Sequence, residues 1–355
     1  MGQCYKEFYA VKIVIVNVMA PFIYGGAEFL ADSLNNKFIE YGYESQVIRF
    51  HYSWQSVDNI LDGMMSARLT RLPNVDLMIG LKFPAYLIPH ENKKLWLLHQ
   101  LRQAYDFEDT PYDFFACNDY AQKVKKIVIN ADNAFLKPIE GKIFTISQVI
   151  SDRLKKYNQI NSDYLYPPLV DEEMFYEGEK GDYIFYPSRI GASKRQELLV
   201  EAMRYTKSKV KLVLAGKGDF IQDEKEIIHL IKKYNLSDKV TYINHFITQK
   251  EKCDLYANCL GVVFIPIDED YGYVTIEAFK SSKPVVTCVD SGCPALFVQH
   301  EKNGYVVNPT AQELAAAMDM LFENSKYAVE MGQNANERLK ELNINWETVI
   351  ERLVK

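Results

Sequence analysis

The sequence predicts an α/β protein built from two doubly wound parallel-sheet domains, and three observations carry that expectation. The chain has 355 residues, enough for two separate cores. Its apolar segments, such as 11–18 (VKIVIVNV) and 261–267 (GVVFIPI), run almost unbroken, as strands covered on both faces do. Each leads through a glycine turn into a helical pattern, the repeating unit of a doubly wound sheet, where ligands sit at the carboxyl ends of the strands.

In the first domain, strand 11–18 enters its helix through Gly25-Gly26-Ala27-Glu28. This spacing lacks the dinucleotide fingerprint. The glycine pair is either a plain loop or a place where backbone approaches a ligand. Further strands are expected at 46–50 (QVIRF), 76–80 (DLMIG) and 95–98 (LWLL). The last ends on His99, whose imidazole either caps the strand or donates to a ligand hydroxyl near neutral pH. Arg102 and Tyr105 follow as further candidate contacts, and the stretches 55–71 and 106–113 read as specificity loops. The lysines of 120–126 read as the solvated face of a helix, and 142–158 as a short strand plus an amphipathic helix started near Ser147.

Pro167-Pro168, followed by an acidic run, marks the boundary. The expected division is 1–166, 167–340 and a terminal helix at 341–355, with Trp346 as its anchor. In the second domain, strand 182–187 (DYIFYP) precedes Arg189 and Lys194 at the start of a helix. Cations there oppose the helix dipole, so they are either incidental surface charges or the grip for a bound anion. Strand 210–214 turns at Gly216, which is expected near a nucleotide; the turn 244–247 either flanks a base or is ordinary packing.

Strand 261–267 then runs into an acidic turn and a helix from about 273 to 282. Gly272 supplies the tight turn, and the helix's unpaired first amides form an anion site. Glu269 and Glu277 bracket that site. An anion site between two acids suits a ligand carrying both phosphate and hydroxyl groups, as a sugar nucleotide does. A late strand at 304–308 and amphipathic helices at 311–323 and 327–342 complete the domain.

Composition excludes several other classes. The net charge is −6, with the whole deficit beyond residue 165, which argues against nucleic acid as the main partner. Six cysteines with no C-x-x-C pair suggest neither zinc nor a disulfide framework, so a reducing, cytoplasmic setting is expected. No run approaches a spanning helix, so membrane contact is expected to be peripheral at most. The start, Met1-Gly2-Gln3-Cys4-Tyr5-Lys6, reads as an untargeted leader.

The segment from Glu269 to Glu277, with Arg189-x4-Lys194, Gly25-Gly26-x-Glu28 and Pro167-Pro168, resembles family 4 of the retaining glycosyltransferases. The resemblance implies the GT-B fold, two Rossmann-like domains facing a central cleft, with a terminal helix returning to the first. It implies transfer of a hexosyl group from a nucleoside diphosphate sugar to a hydroxyl of a sugar, glycan or lipid-linked acceptor, in polysaccharide or glycolipid biosynthesis. Arg189 and Lys194 would hold the donor's pyrophosphate, and Glu269 the donor sugar. Glu277 would take the ribose hydroxyls, while Gly272, Tyr273 and Val274 present amides to sugar and phosphate. Gly216, Gly25 and Gly26 would approach the donor, and His99 would face the reacting sugar. No cofactor beyond the donor is implied, and no metal: Asp268-Glu269-Asp270 spells D-x-D, but cations and a helix dipole stand where such an ion would. The alternatives are another GT-B enzyme (a nucleotide-sugar epimerase or phosphorylase) and a catalytically silent nucleotide-sugar-binding partner.

Overall fold

The computed structural model describes residues 11–355 except 23, 54, 109, 111 and 112. The leader read at 1–6, Cys4 included, lies outside the described residues. The chain divides into two compact units, Met1–Pro168 with Asn345–Lys355, and Leu169–Ile344.

The first unit alternates strands with helices: β1 (Lys12–Met19), α1 (Gly26–Glu40), β2 (Glu44–His51), α2 (Val57–Leu69), β3 (Leu77–Lys82), β4 (Lys93–His99), α3 (Asp119–Leu136), β5 (Ile143–Thr145), α4 (Gln148–Asn158) and β6 (Asp163–Tyr164). The sheet is parallel with order β2-β1-β3-β4-β5-β6, so the winding direction reverses between β1 and β3. Continuous apolar runs put β1 and β4 in the covered middle, with Ile13 to Val16 and Leu95 to Leu97 buried. Buried Asn17 belongs to this frame too: its amide donates to the Ala27 carbonyl at 3.1 Å and ties β1 to the first turn of α1. Ser147 caps α4, accepting from the Ile150 amide.

Two expectations for this unit are corrected. Most of 55–71 is α2 rather than a loop, capped by Ser56 and packed through Ile60, Met64 and Ala67. The lysine-bearing helix is not a solvated face throughout, because Lys125 is buried and pairs with Glu108 at 2.6 Å.

The second unit holds β7 (Tyr183–Pro187), α5 (Gln196–Ala202), β8 (Lys211–Ala215), α6 (Ile221–Lys233), β9 (Val240–Ile243), α7 (Gln249–Ala257), β10 (Gly261–Val263), α8 (Tyr273–Lys280), β11 (Val285–Cys288), α9 (Cys293–Phe297), β12 (Gly304–Val307), α10 (Ala311–Glu323) and α11 (Ser325–Glu341). Its parallel sheet runs β12-β11-β10-β7-β8-β9. The unit's first strand, β7, therefore lies beside its fourth, β10, and the chain winds outward from them in both directions. That is the dinucleotide-fold order, with its switch point between β7 and β10. The expected strand 261–267 pairs regularly only over its first three residues, but Phe264 and Ile265 stay buried beyond it.

The last helix, α12 (Trp346–Val354), belongs to the first unit. Trp346 meets Trp96 edge to face at 6.3 Å, and the Trp96 indole donates to the Leu165 carbonyl. Trp346 is only half-buried, so the anchor is shared: Val349, Ile350 and Leu353 are the fully covered side chains.

Candidate active site

Both sequence-predicted cations follow β7 and both acids follow β10, the two strands at the switch point, which brings Lys194 and Glu269 together. The turn after β7 is stapled to the loop after β10. The Ile267 amide donates to the Ser193 carbonyl at 2.8 Å, and the Tyr186 hydroxyl donates to the Lys194 carbonyl at 2.5 Å. Lys194 forms a short ion pair with Glu269, while its ammonium lies 5.5 Å from the centre of the Phe264 ring. The lysine side chain is 12% exposed and the glutamate 25%.

This pair corrects the dipole argument. Lys194 does not open the helix: it ends a 3-10 turn (Ala192–Lys194), Arg195 follows in the left-handed region, and α5 begins at Gln196. Its charge is met by the Glu269 carboxylate, so no external anion is required to offset a dipole penalty. Arg189 stands apart from that pair. It is 60% exposed and pairs with Asp219, beyond the neighbouring strand β8. Glu277 lies on α8 facing α7, where it accepts from Lys252 at 2.6 Å and from the Tyr256 hydroxyl at 2.7 Å. Burial, with the Glu277 carboxylate beside it, pushes the Tyr256 hydroxyl far above its usual range, so it remains a donor.

Gly272 caps α8 at φ +85°, and a Cβ there would meet Pro294 at 2.8 Å and Phe264 at 2.9 Å. Only glycine suits both the backbone and the space. Tyr273 and Val274 form the first turn of α8, and the Tyr273 ring stacks edge-on against Tyr271 at 4.9 Å. Gly216 closes on the backbone of Ser188, where a Cβ would come within 2.1 Å of its carbonyl oxygen, so this glycine joins the turns after β7 and β8.

In the first unit, the Gly25 amide donates to Glu28 at 2.9 Å, closing the cap of α1, and a Cβ on Gly26 would meet nothing within 4 Å. His99 ends β4, and its Nδ1 lies 2.7 Å from the Gln100 carbonyl. Among the described residues no cluster of three or more His, Cys, Asp or Glu could hold a metal ion. Nor, among them, is any helix long and apolar enough to cross a membrane.

Residues 171–338 match the profile of the family described as glycosyl transferases group 1. This match covers a little under half of the chain. The matched segment contains Arg189, Lys194, Glu269 and Glu277. Among curated relatives, human alpha-1,3/1,6-mannosyltransferase ALG2 is 26% identical over an alignment of 216 residues that covers 54% of this chain and 51% of that one. The chain spans about half the length of that relative. Among solved structures, sucrose-phosphate synthase from Thermosynechococcus elongatus superposes with a TM-score of 0.74 at 16% identity, covering 97% of each chain. HepE of Anabaena, in complex with UDP and glucose, gives 0.71 at 18% identity over 97% of this chain and 99% of that one. These likenesses show the GT-B fold across both units.

Sequence reasoning missed three participants. Arg195 makes a two-pronged pair with Asp290, one contact at 2.9 Å, and its guanidinium holds the Asp290 carboxyl below the usual range. The Asp290 carbonyl in turn accepts from the Asp268 amide at 2.9 Å, so this pair braces the loop that carries Glu269. Lys252 and Tyr256 were legible only as helix residues, although their four-residue spacing puts them on one face of α7.

Proposed function

We propose that the protein is a glycosyltransferase that moves a glycosyl group from a nucleoside diphosphate sugar to an acceptor hydroxyl, in glycan or glycolipid assembly. The observation that carries this reading is the Lys194–Glu269 pair at the carboxyl end of the β7/β10 switch point, beside the mouth of α8. A cation, an acid and a helix mouth meet the separate needs of a diphosphate and a sugar. HepE, a relative in fold, is known with UDP and glucose, which supports a donor of this chemistry.

In this reading the acceptor oxygen attacks the anomeric carbon as its bond to the donor's β-phosphate breaks. The acceptor's proton passes to the leaving phosphate on the same face, so the anomeric configuration is retained. Charge grows on the departing diphosphate, and Lys194, Arg189 and the first amides of α8 stabilise it without a metal. Glu269 orients sugar hydroxyls, with Lys194 fixing its carboxylate. Glu277, held by Lys252 and Tyr256, takes the ribose hydroxyls. His99 serves the reacting sugar, and Gly25 and Gly26 leave room for a ligand. No cofactor other than the donor is needed, and a lipid-linked acceptor would supply any membrane contact.

The test is a thermal-shift screen against UDP, GDP, dTDP and their sugars, followed by product analysis with and without chelator. A ligand that binds the native state raises the midpoint. Stabilisation by one nucleoside diphosphate, with chelator-resistant transfer, is expected. No stabilisation by any nucleotide sinks the reading, and activity restored only by Mg²⁺ sinks its metal-free form.

A further inference from the structure

The sheet of the first unit ends on one side in a strand whose outer edge is bare. β2 pairs with β1 alone, in unbroken register over all eight of its residues. Across that ladder the amides of Glu44 and Tyr52 donate to the carbonyls of Val11 and Met19. Bonding residues alternate along such a strand. The even-numbered residues therefore spend their backbone groups on β1, while Ser45, Val47, Arg49 and His51 turn theirs outward. Among the described residues nothing bonds to those outward groups. The other sheet edges are shorter: two residues in β6, four in β9 and four in β12. Proteins blunt long edges with proline, lysine or a bulge. β2 has none of these, and its one central charge, Arg49, is met by Asp32 of α1 at 2.6 Å.

A second feature lies on the same side. α1 packs on both β1 and β2, and the Arg49–Asp32 pair marks its flank toward β2. Phe29, Asn36 and Ile39 share that flank with Asp32, because steps of three and four residues keep to one helix face. Phe29 and Ile39 are 39% and 53% exposed, so the flank carries an uncovered apolar side chain near each end.

We propose that β2 is the contact of a symmetric dimer, pairing antiparallel with β2 of a second copy about a twofold axis at Ile48. The edge complements itself in this register. Ser45 meets the partner's His51 and Val47 the partner's Arg49 as hydrogen-bonded pairs, so all four outward residues of each copy are used. Sliding by two residues strands the outward groups of Ser45 or His51 beyond the end. Gln46 faces the partner's Phe50, Ile48 faces its own copy, and no like charges are opposed. Parallel pairing would instead bring Glu44 near Glu44 and Arg49 near Arg49. Strands spaced about 4.8 Å apart would set the two α1 helices about 10 Å from one another, a helix-packing distance. Those helices run in opposite directions, so Phe29 of one meets Ile39 of the other. The inference is independent of the transferase reading. It leaves the carboxyl edges of the two first-unit sheets open on opposite sides, clear of the contact.

Sedimentation velocity of the full chain across a concentration series should show monomer giving way to dimer. Val47→Pro removes one outward amide and leaves the β1 ladder intact, so it should weaken association at least about tenfold. Ile39→Asp should do the same by placing a charge in the apolar contact. Should Val47→Pro fail to fold, Ile39→Asp, at an exposed helix position, keeps the decision. Register is read by crosslinking. The axial pair lies about 4.5 Å apart between Cα atoms, within disulfide reach. Ile48→Cys, in a Cys4→Ser and Cys117→Ser background, should therefore yield a covalent dimer under mild oxidation. A wild type that stays monomeric, or a dimer that withstands both Val47→Pro and Ile39→Asp, overturns the proposal. So does a dimer that Ile48→Cys fails to crosslink. A monomer that dimerises only when residues 1–10 are deleted also overturns it, giving the edge to the chain's own start.

Discussion

At Lys194 the ammonium is held by the Glu269 carboxylate beside the face of Phe264, so the protein itself sets its position. Preorganised charge of this kind is where a transition state gains most. Lys194→Ala should therefore lower turnover by about two to three orders of magnitude at saturating donor. Initial rates check this, and retained turnover removes Lys194 from the chemistry. Gly272 poses a separate question, because φ +85° and the contacts with Pro294 and Phe264 act together. Gly272→Ala should cost roughly 2–4 kcal/mol, combining left-handed strain with overpacking. A denaturant midpoint unchanged from wild type would show that the turn relaxes freely. Arg189 and Lys194 could both be read as cations, but their partners could not. Asp219 and Glu269 lie 30 and 75 residues away in sequence, and only the sheet order brings them close.

Among the elements, α3 shows how the turn after β4 is held. Its Asp132 is fully buried and accepts from Tyr86 at 2.8 Å, Tyr105 at 2.7 Å and Gln100 at 2.9 Å. Burial outweighs those donors and raises the carboxyl from 3.8 to about 6. The native state therefore holds this proton more tightly than the unfolded chain. The stability it lends is complete below about pH 4 and is lost as pH rises through about 6. Asp132→Asn should flatten that part of the stability–pH curve, by up to about 3 kcal/mol between its ends. Urea unfolding at pH 4.5 and 7 measures it, and identical slopes in both proteins refute the assignment. Element positions were largely legible because burial leaves near-unbroken apolar runs in central strands and one apolar face on helices: 11–18 lies within one residue of β1 at each end, and 311–323 matches α10 residue for residue. The helix α2 was not, because Gly63 interrupts it. That glycine is a packing choice, since a Cβ would come within 2.6 Å of the Tyr52 ring.

For the whole molecule, the first unit is built from two separated pieces of chain, with all of Leu169–Ile344 between them. Val349, Ile350 and Leu353 of α12 are buried, and each is worth up to about 1.5–3 kcal/mol. Deleting 345–355 should lower amide protection in β4 and α1, while strands β7 to β11 keep theirs. Hydrogen exchange by mass spectrometry separates these outcomes, and equal protection throughout would make α12 an ornament of the first unit. The same threading sets an order of completion during synthesis. The ribosome finishes the Leu169–Ile344 unit before the segment that closes the first one, so a nascent chain carries Trp96 without Trp346 over it until that last stretch emerges. Translation thus completes the Leu169–Ile344 half while its companion still waits for the stretch that covers Trp96.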